Sequence, residues 1–347
     1  MKPSSLVIPI LVMLLVVFVI EWMAYRLVKR RWDSKKWWPI FGKLWLIITA
    51  SLWGFVTISL INFESWSIRM PNIVAVFTIA FFVNLIPKMM MAIFQVADDL
   101  RYLTQFAVKK MTQGEGKIPR STFLNYIGAG LASATFGAFF YGVTKGKFNF
   151  QVENVKVLID GLPKSFKGLR IVQISDAHLG SFVGSPQAVH DALQTVNDLK
   201  PDLILFTGDL VNSKASEAES WIDAFSKLEA TMGKYSIMGN HDYAEYGDFA
   251  PGESEASIKR LHEIHSEMGF HLLLDEHVHL KRAKDRLVLA GVENWSKRSF
   301  GQRGDIEKAL ANSDSDSLIT ILMSHDPTHF EELVMGGKAP VDLTMSG

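Results

Sequence analysis

Four short polar clusters, each following directly on an apolar run, gather residue types that hold divalent metals. Ile171-Val172-Gln173-Ile174 leads into Ser175-Asp176-Ala177-His178, and Leu203-Ile204-Leu205-Phe206 into Thr207-Gly208-Asp209-Leu210. Tyr235-Ser236-Ile237-Met238 leads into Gly239-Asn240-His241-Asp242, and the run 318–323 into Ser324-His325-Asp326-Pro327. Carboxylate, imidazole and amide oxygen suit Mn, Fe, Co, Ni or Zn rather than Ca. Taken singly, each cluster reads as a turn. Taken together they form a set, because ligands of open α/β sheets bind beyond the carboxyl ends of the strands. Gly208 and Gly239 let the backbone turn tightly at two of those ends.

The elements that must position these groups are visible from Phe148 onward. Short β-rich runs lie at 155–159, 169–174, 203–207, 235–238, 271–274, 286–290, 318–323 and 341–345. They alternate with helical patterns at 187–199, 217–228, 256–268, 305–312 and 328–334. Strand–helix alternation predicts an α/β layered domain with a central sheet.

Residues 1–147 have a different composition. Four stretches approach the roughly 20 apolar residues that cross a hydrocarbon core: 3–20, 44–63, 71–87 with an extension to 96, and 121–143. The first is read as ending at Glu21 and the third is interrupted at Lys88, so charge-free spans are expected and a transport pathway is disfavoured. No small-residue cleavage site follows the first run, which argues against a signal peptide. Arg26, Lys29, Arg30, Arg31, Lys35 and Lys36 follow it, and Arg101, Lys109, Lys110, Lys117 and Arg120 precede the fourth run. Basic loops stay on the cytoplasmic side. The expected protein is therefore multi-pass, with an extracytoplasmic domain over 148–347. Residues 119–125 resemble a twin-arginine export signal, depart from it at Ser121, and read as a juxtamembrane segment. Gly128, Gly130, Ala132, Ala134 and Gly137 suit close helix packing. Lys and Arg balance Asp and Glu at 36 each, so no net field specifically indicates nucleic acid. The chain has no cysteine, which excludes disulfides and thiolate metal sites.

Asp176-x-His178, Gly208-Asp209, Gly239-Asn240-His241-Asp242 and Ser324-His325, in that order and spacing, resemble the calcineurin-like metallophosphoesterases. Gly168-Leu169-Arg170-Ile171-Val172 and Gly208-Asp209-Leu210-Val211-Asn212 look most like their bacterial membrane-associated branch. The resemblance covers about residues 150–347 and implies two stacked sheets flanked by helices. It implies two divalent metal ions, with Asp176 and His178 on the first, Asp209 bridging, and Asn240 and His325 on the second. His241 would face the phosphate and its leaving group, and Asn212 stands where related enzymes often place an aspartate that orients this histidine. An amide cannot stabilise an imidazolium as a carboxylate would. The family closes its site with Gly-His-x-His; here Val341-Asp342-Leu343-Thr344-Met345-Ser346-Gly347 supplies the strand and the glycine. A fragment is therefore expected, with one imidazole missing per metal, weak metal binding and little turnover.

The implied activity is hydrolysis of a phosphomonoester or phosphodiester at a membrane surface, on a substrate that is lipid-linked or part of the cell envelope. A membrane sensor or scaffold that keeps the fold without the chemistry is the alternative. Among the remaining residues, His277 and His279 read as a solvated strand edge rather than a further metal site, and His262 and His265 as neighbours on an exposed helix face. His329, one turn beyond His325, is a candidate for a group behind that ligand. Glu293, Asn294 and Trp295 are candidate substrate contacts.

Overall fold

The computed structural model describes residues 3–61, 71–112, 121–182, 186–247, 249–297, 301–315, 318–336 and 338–347. The chain divides into two compact units, Met1–Phe150 and Gln151–Gly347.

The first unit contains α1 (Pro3–Trp32), α2 (Trp38–Ile61), α3 (Pro71–Met111) and α4 (Thr122–Thr144). Each contains a stretch long and apolar enough to cross a membrane: Leu11–Arg30, Trp38–Ile61, Val76–Met111 and Thr122–Thr144. Two helices run further than the hydropathy suggests, and the expectation of charge-free spans is corrected. Glu21 lies inside α1, and Pro87 and Lys88 lie inside α3. Neither charge interrupts its helix because each satisfies the other. Lys88 Nζ is 2.7 Å from Glu21 Oε1 and donates to Thr49 Oγ1 at 3.1 Å, while Trp45 Nε1 donates to Glu21 Oε2 at 3.1 Å. An ion pair that would be prohibitive in lipid alone is tolerated where three helices bury it and fill its hydrogen bonds. The small residues of α4 also divide. A Cβ on Gly128 would meet Phe94 Cβ at 3.0 Å, and Ala132 is buried, but Gly130 and Gly137 face open space. Residues 62–63, Lys117, and Pro119 and Arg120 of the export-signal-like stretch lie outside the described residues.

The second unit has two four-stranded sheets. One holds β1 (Ile171–Ile174), β2 (Leu203–Phe206), β3 (Lys234–Ser236) and β4 (His271–Leu272), all parallel. The other holds β5 (Glu276–Arg282), β6 (Asp285–Gly291), β7 (Thr320–Met323) and β8 (Leu343–Met345), parallel except for the β5–β6 hairpin. The period of two sorts the side chains into layers. Leu203 and Leu205 of β2 pack with Leu287, Leu289, Ile321 and Met323 between the sheets. Ile204 and Phe206 face outward onto the helical layer of α5 (Pro186–Asp198), α6 (Ile222–Ser226) and α7 (Glu253–Glu267). Val288, Ala290 and Leu322 face the other way, under α8 (Ile306–Leu310) and the turn Phe330–Val334. Strands apolar on both faces require cover on both faces, which gives the stacked sheets flanked by helices.

Several sequence readings of local structure are corrected. Residues 155–159, expected as a strand, form none and pair with no strand among the described residues, and Val155 and Leu158 stand exposed. The 217–228 pattern is helical only over Ile222–Ser226, preceded by two 3-10 turns. The β5–β6 hairpin carries no glycine signal, since Ala283 takes the left-handed turn at φ 54. His277 and His279 are not left to solvent: Nδ1 of the first pairs with Ala309 O at 2.9 Å and Nε2 of the second with Ser313 O at 3.0 Å.

His265 is also corrected. It lies one turn after Leu261 on the buried face of α7, within about 6 Å of the Phe206 and Phe270 rings. Burial pushes its imidazole down to about 3. The folded state therefore takes up no proton where the unfolded chain does, so its stabilising effect is complete above about pH 6.5 and falls as pH drops toward 3. We expect a loss approaching about 1 kcal/mol per pH unit in that window. Unfolding of His265→Leu should show a shallower acid slope than the native chain; equal slopes would contradict this.

Candidate metal centre

The four clusters sit on loops at the carboxyl ends of β1, β2, β3 and β7, and backbone pairing continues past the strands to hold them together. Asp176 N donates to Gly208 O at 3.0 Å, His178 N to Asp209 O at 3.1 Å and Leu179 N to Leu210 O at 3.0 Å. The continuation costs backbone strain. Asp176, His178 and Asp209 take left-handed φ values of 52, 42 and 58. Asp and His tolerate that region better than most residues, and such strain clusters where side chains must be aimed. The β2 and β3 loops touch backbone to backbone. A Cβ on Gly208 would lie 2.6 Å from Gly239 N, and one on Gly239 would lie 2.2 Å from Asp209 Oδ1.

This framework brings two groups of ligand atoms together, each within 4.8 Å: His178, Asp209 and His241, and Asp176, Asp209 and His325. Asp209 belongs to both. Its Oδ2 is 3.6 Å from His178 Nε2 and 3.4 Å from His325 Nε2, while its Oδ1 accepts the His241 N–H at 2.9 Å. Asp176 Oδ1 lies 4.0 Å from His178 Nε2, which keeps the Asp-x-His pair within reach of one ion. Ligand atoms bound to one ion at about 2.1 Å stand roughly 3–4 Å apart, so the spacing and donor set fit divalent cations. The tautomers fit as well. His325 Nδ1 donates to Thr207 O at 2.8 Å, which turns Nε2 toward Asp209. Asn240 Nδ2 is occupied by the Tyr246 hydroxyl at 2.8 Å.

Electrostatics follow the geometry. Burial pushes the Asp209 carboxyl up, but the His325 hydrogen bond and charge, with the His241 N–H, hold it below the usual range. Burial lowers His325, yet Asp209 and the Thr207 carbonyl outweigh it and push the ring up to about 9. A metal on His325 Nε2 would displace that proton. Burial and the Asp209 charge push Asp242 up to about 7, against the N–H groups of Gly239 and Val211.

The contact expected of the Asn212 side chain is made by its backbone. His241 Nδ1 lies 2.7 Å from Asn212 O, while Asn212 Nδ2 turns away to Ser181 Oγ at 3.0 Å. A carbonyl fixes the ring without a carboxylate's charge. Three residues escaped the sequence reading. Asp242 accepts from the backbone N–H of Asp209, Leu210, Val211 and Gly239 and so ties the β2 and β3 loops together. It stood within the quoted Gly-Asn-His-Asp cluster, and its carboxylate was the signal. Tyr246 stacks on His241, and nothing in the sequence marks it. Glu217 accepts from the N–H groups of Asn212, Ser213 and Lys214, holding the loop that presents the Asn212 carbonyl. Glu217→Ala should cost about 1–3 kcal/mol by leaving those donors to compete for water. Urea unfolding checks this; an unchanged midpoint would show the loop to be held by other contacts.

His329 is buried beside Trp295, and among the described residues neither ring nitrogen has a hydrogen-bond partner, so it is not hydrogen-bonded behind His325. Asn294 is buried, which corrects its reading as a substrate contact, and Glu293 Oε1 accepts from Tyr243 OH at 3.0 Å. A cavity of about 470 Å³ lined by Arg286, Leu318 and Asp342 lies near the amino ends of β6, β7 and β8, away from the ligands.

Two facing sheets with a carboxylate common to two ligand groups at their strand ends define a metal-dependent hydrolase of the layered α/β class. Comparison with known proteins agrees. Residues 169–345 match the calcineurin-like phosphoesterase family, and residues 5–147 match a probable calcineurin-like phosphoesterase transmembrane domain. The chain belongs to the calcineurin-like phosphoesterases, a family with a dinuclear metal centre, and it is a membrane protein. A transmembrane protein with metallophosphoesterase domain from Danio rerio is 30% identical over 213 residues, 60% of this chain and 46% of that protein. The metallophosphoesterase YkuE of Bacillus subtilis is 29% identical over 237 residues, 67% of this chain and 76% of its own. A UDP-2,3-diacylglucosamine pyrophosphatase, LpxG, from Chlamydia muridarum is 41% identical over 90 residues, 24% of this chain and 27% of its own. The match spans less than half the length of the zebrafish protein and of its bovine counterpart.

Proposed function

We propose that the chain hydrolyses phosphoric esters, with Asp176, His178, Asp209, Asn240 and His325 holding two divalent cations. The observation that carries this reading is the place of Asp209 in both ligand groups. Asp209 is placed to be shared by two cations, which when bound would supply an activated water and charge neutralisation on the transferring phosphoryl group. The protein's own part is positional. Asp209 stays ionised among imidazoles, and the Thr207 carbonyl sets the His325 tautomer. In its imidazolium form, with the Nδ1 proton held by the Asn212 carbonyl, His241 has the Nε2 proton left to hydrogen-bond the phosphate or to give to its leaving oxygen. Asp176 is the open side of the site, with nearly half its side chain exposed, so substrate enters there.

For substrate we favour a phosphate ester carried on a lipid or a cell-envelope precursor, presented at the outer face of the membrane. The membrane region supports this, as does the short likeness to a pyrophosphatase named for a diacylglucosamine nucleotide. The basic residues in the last turns of α1 and just after it, and at the end of α3, support an extracytoplasmic domain. The test is hydrolysis of p-nitrophenyl phosphate and bis(p-nitrophenyl) phosphate by the detergent-solubilised chain. Whatever turnover the chain shows, small as expected above, should disappear with EDTA and return with Mn2+ in excess. EDTA-insensitive hydrolysis would contradict the reading, and no hydrolysis despite bound Mn2+ would favour the scaffold.

A further inference from the structure

Tyr246 stands outside every motif, four residues beyond Asp242. Its ring stacks on the His241 imidazole with centroids 4.1 Å apart and planes 15° from parallel. Its hydroxyl accepts from Asn240 Nδ2 at 2.8 Å. We infer that Tyr246 is a positioning residue: it holds the Asn240 amide in the orientation that leaves Oδ1 for a cation, and it fixes the plane of the His241 ring. This rests on the metal-centre reading above.

An asparagine amide has two faces of opposite chemistry. The oxygen ligates a cation and the NH2 group cannot, while the two are nearly equal in size. Something beside the ligand must break that symmetry. The cation supplies the preference for oxygen, and Tyr246 holds the amide in the matching orientation, its hydroxyl accepting from Nδ2 so that Oδ1 stays the free acceptor atom. Partners behind metal ligands act in this way and typically change affinity 10–100-fold when lost. His241 shows the complementary need. The Asn212 carbonyl fixes Nδ1, and His178 meets the ring edge-on at 4.7 Å and 89°. Tyr246 meets it face-on, so Nε2 keeps one direction. Tyr246 is itself 40% exposed. Replacing it therefore opens no core cavity, and the consequences fall on the site rather than on the fold.

Two variants separate the contacts. Tyr246→Phe keeps the stack and loses the hydrogen bond; Tyr246→Leu loses both. With Mn2+ as probe, followed by the EPR signal of the free ion, Tyr246→Phe should bind about tenfold more weakly than the native chain. Tyr246→Leu should lose at least as much, and its kcat at saturating Mn2+ should fall below that of Tyr246→Phe. Thermal unfolding of the metal-free proteins should match the native chain. Native Mn2+ affinity in Tyr246→Phe, or lowered melting with affinity intact, would overturn the inference. Asn240→Ala is the control for the underlying reading: if it too binds Mn2+ like the native chain, Asn240 is not a ligand and the metal-centre assignment fails with it.

Discussion

Asp209→Ala should lower metal-dependent hydrolysis by more than about 100-fold, beyond what loss of a group behind a ligand produces. The reason is double occupancy. Its carboxylate lies 3.4 Å from His325 and 3.6 Å from His178, so no other described residue replaces it in both groups. The fold should survive. The variant gives up the hydrogen bond from His241 N and the contact with His325, which sheds its proton once the carboxylate it pairs with is gone, so unfolding should change by about 2–4 kcal/mol. Activity and urea unfolding measured on the same preparation check both halves. Substantial residual activity would mean the two cations are not held by a shared Asp209.

Asp242→Ala should act in the opposite way, on stability first. Its carboxylate is fully buried and accepts four backbone N–H groups: Asp209, Leu210 and Gly239 at 2.9 Å and Val211 at 3.2 Å. Alanine strands those donors between the β2 and β3 loops, where Gly208 and Gly239 leave no slack. A buried unsatisfied donor costs about 1–3 kcal/mol, and partial entry of water brings the expected total to about 3–5 kcal/mol. Asp242→Asn keeps the shape but turns a donor toward donors, so it should fall between the two. Urea midpoints at constant m value measure this. A loss under about 1 kcal/mol in Asp242→Ala would show that the loops do not depend on the carboxylate.

The site was legible because its chemistry is written in short runs. An apolar strand followed at once by Asp, Gly-Asp, Asn-His or His marks a strand end and a ligand together, and the layered fold follows from strands apolar on both faces. What stayed hidden depends on partners distant in sequence. Glu21 and Lys88 looked like the limits of membrane runs, since hydropathy cannot reveal that two charges 67 residues apart meet inside a helix bundle. His265 looked exposed because a histidine on a helix carries no label for the face it takes. Asn212 was read by its side chain although its carbonyl makes the contact, and Tyr246 reaches the site only through the turn that Ala244 makes at φ 58.

The most direct test of a shared Asp209 is EPR of Mn2+ bound to the chain in detergent. Two Mn2+ ions held by one shared carboxylate would be close enough to be exchange-coupled. The native chain should therefore give a coupled multiline spectrum at saturating Mn2+, and Asp209→Ala should not. An isolated six-line spectrum from the native chain at every loading, or a coupled spectrum that persists in Asp209→Ala, would contradict the account.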